Sequence, residues 1–314
     1  MKKLLVLFIL ITFSKNVLSW GVTGHRAIGL VAEQHLSAKA KKKLKQLLGQ
    51  ESLAMASTWM DEIRSDSTYN YTADWHWVTV ETGKTYDESP KNPNGDIIIT
   101  LERLIAELKS GKLDQAKQIA HIKMLVHLVG DIHQPLHVGC CDDRGGNGVK
   151  VKWFRNDTNL HTVWDGNLID DTKLSYTELA HALGEPSPEN LTKWQKASVR
   201  DWANESMSYR KQVYTTGDGN LSYKYSYNNM DLVRQRLTQA GIRLAGGFSS
   251  PFFPASPASP VADPKKSDVI SLARAHLTQL QGEINAAIPA TIDKMSRYHL
   301  QDVSARIKQA LDPK

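Results

Sequence analysis

With 314 residues, 41% of them hydrophobic, the chain can bury a substantial core as one large domain or as one domain with an appendage. Half of the formal charge of +6 belongs to the first nineteen residues, which carry Lys2, Lys3 and Lys15 and no acid, so net charge alone implies no broad nucleic-acid-binding surface. The two cysteines, Cys140 and Cys141, are adjacent and can close only a strained small ring, which excludes a fold stapled by disulfides between distant segments.

Residues 1–19 read as a signal peptide: Lys2 and Lys3, an apolar run from Leu4 to Phe13, then Val17-Leu18-Ser19 at the cleavage site. That run is too short to span a bilayer, and no later stretch approaches the ~20 apolar residues a transmembrane helix needs. A secreted or periplasmic protein beginning at Trp20 is expected. A Trp20 with a free α-amine could chelate a metal through that amine and its own carbonyl, as no internal residue can.

Thr23 can cap a helix running through Ala27, Ile28, Val31 and His35, and Ser37 can cap a lysine-rich helix that Gly49 closes. Helical spacing recurs at about 57–65, 95–109, 113–134, 174–183, 188–206 and 229–245. Extended chain is expected from Trp75 to Val80 and from Val149 to Phe154, where Val149, Val151 and Trp153 alternate with Lys150 and Lys152. Gly145-Gly146-Asn147-Gly148 reads either as a loop that lets backbone approach a ligand or as an ordinary hairpin turn. The fold class is therefore mostly α with a small β-hairpin. A Pro/Ser/Ala-rich linker over 248–266 separates a domain at 20–247 from a helical extension at 267–314.

The chemistry concentrates between His127 and His137. His127 and Asp131 share one helix face, Pro135 ends that helix, and His137 lies just beyond it. His161 and Asp165 repeat the spacing. Imidazole nitrogen with carboxylate oxygen, and no thiolate, suits zinc in a catalytic setting. A single histidine of this kind is more simply a hydrogen-bonded core residue. Joined with Trp20, His25, Asp61 and His76, the set would bury many polar groups that need partners unless a metal supplies them.

As an ordered set these residues resemble the secreted trinuclear-zinc nucleases of fungi, plants and bacteria, which prefer single strands and also act as 3′-nucleotidases. The matching stretches are Trp20-Gly21-Val-Thr-Gly24-His25, Trp59-Met-Asp61-Glu-Ile-Arg64, Trp75-His76, His127 through Gln134-Pro135-Leu136-His137, and His161-Thr-Val-Trp164-Asp165, and the likeness runs to about Gly247. The resemblance implies a helical fold shared with zinc phospholipase C and three Zn²⁺ ions. Asp61, His76, His127 and Asp131 would hold one ion, and His137, His161 and Asp165 the second. The amine and carbonyl of Trp20 would hold the third with His25 and Asp131, so that Asp131 bridges two metals. It also implies that Asp61 orients the nucleophile, that Arg64 stabilises charge on the phosphoryl oxygens, and that 5′-phosphate products leave. Trp77 could stack a base of a single-stranded DNA or RNA substrate, or equally be core, and Asn147 could bind a base edge. Two other readings stand beside this one. A zinc phospholipase C is disfavoured by the short spacing from Trp20 to His25 and by Asp165 where a Glu is expected. A non-catalytic secreted zinc-binding protein is disfavoured by intact Asp61 and Arg64.

Overall fold

The computed structural model describes residues 20–249, with Thr278 alone beyond them. The chain separates into two units, Met1–Pro254 and Ala255–Lys314, and the fold below is that of the first. The signal peptide expected at 1–19, all but the first two residues of the linker expected at 248–266 and, Thr278 apart, the extension expected at 267–314 lie outside the described residues.

Helix α1 (Val22–His35) begins earlier than Thr23 would allow as a cap. Gly21 occupies the N-cap, its carbonyl accepts the His25 N–H at 3.1 Å, and Thr23 sits inside the helix with its hydroxyl on Asp170 Oδ1. Helix α2 (Ala38–Leu48) is capped by Ser37, whose Oγ accepts from Ala40 N–H, and ends at Gly49 with φ 64°. After a short α3 (Leu53–Ala56), the helix expected over 57–65 is reduced to α4 (Trp59–Glu62) and a 3₁₀ turn Ile63–Ser65. The hydroxyls of Ser57 and Thr58 bond back to the carbonyls of Ala54 and Met55, a local alternative to the helical ladder.

A 3₁₀ segment, Ser67–His76, then delivers Trp75 and His76, which leaves only Val78–Thr79 (β1) of the extended stretch expected from Trp75 to Val80. The Trp75 indole is held by a 3.0 Å bond to Asn94 O. Asp96 caps α5 (Ile97–Ser110) and Asp114 caps α6 (Gln115–His133). Gln134 turns extended, as the residue before a proline must, and Pro135–His137 forms a short 3₁₀ turn into β2 (Val138–Gly139). Strands β1 and β2 pair in parallel, Val78 opposite Val138.

The expected hairpin is β3 (Lys150–Trp153) against β4 (Asn156–Asn159), with Val151 and Trp153 buried and both lysines exposed. It turns at Phe154-Arg155 rather than at Gly-Gly-Asn-Gly, which precedes β3. Next come α7 (Leu160–Thr162), a π-helical turn Val163–Asn167, α8 (Leu168–Asp170) and α9 (Tyr176–Leu183). The single helix expected over 188–206 is two, α10 (Pro188–Lys196) and α11 (Val199–Ser208). Ala197 is extended between them, and Ser198 with Asp201 makes a fresh capping box. After α12 (Arg210–Val213), β5 (Asn220–Leu221) adds to β3 in parallel. The last helix, α13 (Tyr223–Ser249), is longer at both ends than the 229–245 expected.

These elements form a mostly helical fold around α6. From Met124 to His133 every residue of that helix is buried, because α3, α4, α5, α11 and α13 surround it. A helix enclosed on all sides should be apolar all round. His127, Asp131 and His133 are the exceptions.

Candidate metal centre and substrate cavity

The expected side-chain donors are brought together by several elements, and α6 supplies two of them. His25 comes from α1, Asp61 from α4, His76 from the end of the 3₁₀ segment, His127 and Asp131 from α6, and His137 from the turn after Pro135. His161 and Asp165 come from α7 and the π turn. A π turn widens the helix locally, and such turns recur at functional sites. Three donor sets result: His25, His127 and Asp131; Asp61, His76 and His127; and His137, His161 and Asp165. Within each set the donor atoms lie within 4.8 Å of one another.

Asp131, fully buried, joins the first two sets. Its Oδ1 lies 3.2 Å from His25 Nε2, and its Oδ2 lies 3.0 Å from His76 Nδ1 and 3.2 Å from His127 Nε2. His127 also reaches Asp61 Oδ1 at 3.8 Å, so it lies within reach of two sets, as Asp131 was expected to. In the third set Asp165 is 3.0 Å from His161 Nε2 and 3.6 Å from His137 Nε2. Trp20 is wholly buried with its ring tilted against Trp164, and the next residue's N–H, that of Gly21, donates to Asp165 O at 2.5 Å.

The imidazoles are oriented from behind. The Nδ1–H of His127 donates to Ser57 O at 2.7 Å, that of His137 to His76 O at 2.7 Å, and that of His161 to Gly145 O at 2.6 Å. A ring whose Nδ1 proton is spoken for presents Nε2 as the donor atom, which is how metal-binding histidines are held. Gln134, quoted in the sequence motif without a role, donates its amide to Asp165 Oδ1 at 2.7 Å and so fixes that carboxylate. Two glycines are required by close approach. A Cβ on Gly130 would stand 2.8 Å from the His25 ring, and Gly145, at φ 62°, brings its carbonyl to His161 beneath Leu136 O.

Electrostatics point the same way. Burial alone would lower His127, yet Asp131 and Asp61 outweigh it and raise its pKa to about 9. His137 is likewise raised to about 9 against burial, by Asp131 and Asp165. At His25 and His76 burial prevails and the pKa falls. Burial would raise Asp131, but the imidazoles of His127 and His137 hold it well below the carboxylate range; burial would raise Asp165 too, but His161 and His137 outweigh it and lower its pKa. Anionic carboxylates in a core demand cations. His76 Nε2 is buried without a hydrogen-bond partner, a cost of about 1–3 kcal/mol if nothing coordinates it, and Asp131 Oδ1, His137 Nε2 and His161 Nε2 are buried with only an ion-pair neighbour outside hydrogen-bond geometry. Such nitrogen and oxygen donors, oriented and with hydrogen-bonding capacity unused, fit divalent zinc.

The donors open on a cavity of about 730 Å³ whose walls include His76, His137 and His161 together with Arg64, Trp77, Arg144, Asn147 and Lys150. Arg64 Nη1 lies 3.6 Å from Asp61 Oδ1, one turn along. Trp77 is 40% exposed, so it belongs to the cavity wall and not to the core. Asn147 donates its side-chain amide to Arg144 O at 2.9 Å, which shapes the glycine-rich loop. His133, by contrast, faces away. Its Nδ1 bonds Val129 O, its Nε2 accepts from Arg243, and burial beside Arg236 and Arg243 keeps it neutral.

The family model described as S1/P1 nuclease matches residues 20–251. Endonuclease 4 of Arabidopsis thaliana is 30% identical over 278 residues, covering 76% of this chain and 90% of that protein. Nuclease P1 of Penicillium citrinum is 26% identical, covering 72% of this chain and 95% of its own length. Nuclease S1 of Aspergillus oryzae is 24% identical, covering 63% and 71%.

Proposed function

Because the chain belongs to the S1/P1 nuclease family, we propose that it is a zinc-dependent endonuclease that cuts single-stranded DNA and RNA to 5′-phosphate products and also acts on 3′-nucleotides. It is exported, secreted or periplasmic, with residues 1–19 removed before Trp20. No helix among the described residues is long and apolar enough to cross a membrane. The observation that carries the reading is the meeting of three donor sets beside a cavity walled by Arg64 and Trp77.

One zinc would be held by Asp61, His76, His127 and Asp131, and a second by His137, His161 and Asp165. The third would take the freed amine and carbonyl of Trp20 with His25 and Asp131. When bound, zinc supplies Lewis acidity toward phosphodiester oxygens and a water nucleophile near neutral pH. Asp61 orients the attacking water by accepting its hydrogen bond. Arg64, beside it, donates to the phosphoryl oxygens as negative charge builds on them. Trp77 stacks a base, a contact worth ~1–3 kcal/mol in single-strand binders, and Asn147 hydrogen-bonds a base edge. A duplex keeps its bases stacked on each other and away from Trp77, so unpaired strands are preferred.

The test uses protein purified after export: zinc per chain, release of 5′-mononucleotides from single-stranded DNA and RNA and of phosphate from a 3′-nucleotide, and a phosphatidylcholine control. About three zincs with chelator-sensitive nucleotide release is the expected result. Zinc with lipid cleavage alone would replace the nuclease by a phospholipase, and zinc with neither activity would leave a binding protein.

A further inference from the structure

Cys140 and Cys141 are bonded to each other, and both line the cavity that holds Arg64, Trp77 and His161. A disulfide stabilises a fold by closing a loop of the unfolded chain, and the gain grows with the length of that loop. Between neighbours in sequence there is no loop to close. The pair does not fill the core either, since Cys140 is half-buried and Cys141 exposed. The bond does have one geometric effect. Consecutive side chains on extended backbone point to opposite sides, whereas bonded sulfurs must lie together and present one continuous apolar face.

That face is held in place from below. The cysteines follow directly on β2, which pairs with β1, and Val80 N–H donates to Gly139 O at 2.8 Å. The Arg210 guanidinium donates to Val138 O at 2.7 Å, Val80 O at 2.9 Å and Gly139 O at 2.7 Å, clamping both strands at the point where the cysteines leave β2. Much of the surrounding wall is charged, with Arg64, Arg144 and Lys150 set among Glu81 and Asp142. Those groups suit phosphate and water. A nucleobase offers a flat, weakly polar face, and divalent sulfur packs favourably against aromatic rings.

We propose that the Cys140–Cys141 disulfide is a second base-contacting surface of the cavity, acting beside Trp77 on the bound strand. The proposal rests on the nuclease reading of the same site. Its test compares the exported, zinc-loaded wild type with the C140S/C141S variant. The readouts are zinc per chain, thermal unfolding, KM and kcat on a single-stranded oligodeoxynucleotide, and the Kd of a phosphorothioate oligonucleotide of the same sequence. The expected result is a rise of about threefold to tenfold in both KM and Kd, with a smaller change in kcat and the same zinc content and unfolding temperature. Unchanged KM and Kd would overturn the proposal. Loss of zinc or of stability in step with the KM change would also overturn it, because the bridge would then be bracing the fold. Thiols that alkylate in the unreduced wild type would overturn it as well. If the wild type fails to cleave nucleic acid, the nuclease reading falls, and the Kd comparison still decides whether the disulfide touches a bound strand.

Discussion

At the scale of single residues, the donors are held by neighbours chosen for geometry. The Asp61 carboxylate lies 3.6 Å from the Arg64 guanidinium and 3.8 Å from His127 Nε2. Asp61→Asn keeps the shape and an oxygen donor but removes the charge proposed to orient the nucleophile. Hydrolysis should fall by at least about 10²–10³-fold, the cost of losing one preorganised polar group, while most of the zinc stays. Metal analysis with single-turnover kinetics checks this, and unchanged turnover would remove Asp61 from the mechanism. Gly130→Ala acts on binding. Its Cβ would stand 2.8 Å from the His25 ring on one side, and on the other its own helix is packed all round. The His25 ring must yield, so zinc per chain should drop by about one while far-ultraviolet circular dichroism stays that of the wild type. That these His and Asp side chains gather into sets able to hold a metal was legible in the sequence, because coordination uses those side-chain types. What orients them was not, because Ser57 O, His76 O and Gly145 O are main-chain carbonyls that any residue would supply.

At the scale of elements, one carboxylate ties α11 to α13, and both hold the C-terminal end of α6 through its carbonyls. Glu205 accepts from Arg236 Nη1 at 2.7 Å and from both Nη1 and Nη2 of Arg243 at 2.7 Å. Arg236, wholly buried, also donates to His133 O, Trp202 O and Ser206 Oγ, and Ser206 Oγ in turn donates to Ile132 O. Removing the anion would leave two buried guanidinium groups facing each other. Glu205→Gln should therefore cost about 3 kcal/mol, the low end for breaking a buried pair because Glu205 itself is 31% exposed. Burial pushes the Glu205 carboxyl up, but Arg243 and Arg236 outweigh it and its pKa lies below the ordinary 4.5. Its contribution is thus fully present above about pH 4.5 and disappears as pH falls through the depressed folded value. Urea unfolding of wild type and variant across acidic pH should show a gap that is constant near neutrality and closes on acidification. The caps that begin these helices, such as Ser37, Asp96 and Asp114, are readable because they are local chemistry. The break at Ala197 and the π turn at Val163–Asn167 are set by what each segment packs against, and helical periodicity runs straight through both.

At the scale of the whole molecule, the side-chain donors span the described chain from His25 to Asp165 and draw α1, α4, α6 and the π turn together. Metal that binds the folded chain and not the unfolded one stabilises it by mass action, about 4 kcal/mol at a thousandfold excess over Kd. For a domain of this size that corresponds to a shift on the order of 10 °C in unfolding temperature. A chelator should lower Tm by about that much. The size of the drop also tests the proposed N-terminal chelate, in which the third site would take a free α-amine on Trp20 exposed by removal of residues 1–19. A form with one extra residue before Trp20 retains every side-chain donor and loses only the amine. It should hold about two zincs in place of three, show a smaller chelator-induced drop in Tm, and cleave single strands more slowly. Full zinc content and an unchanged drop in the extended form would detach the amine from the metal site, and His25 and Asp131 would then have to hold the third ion without it.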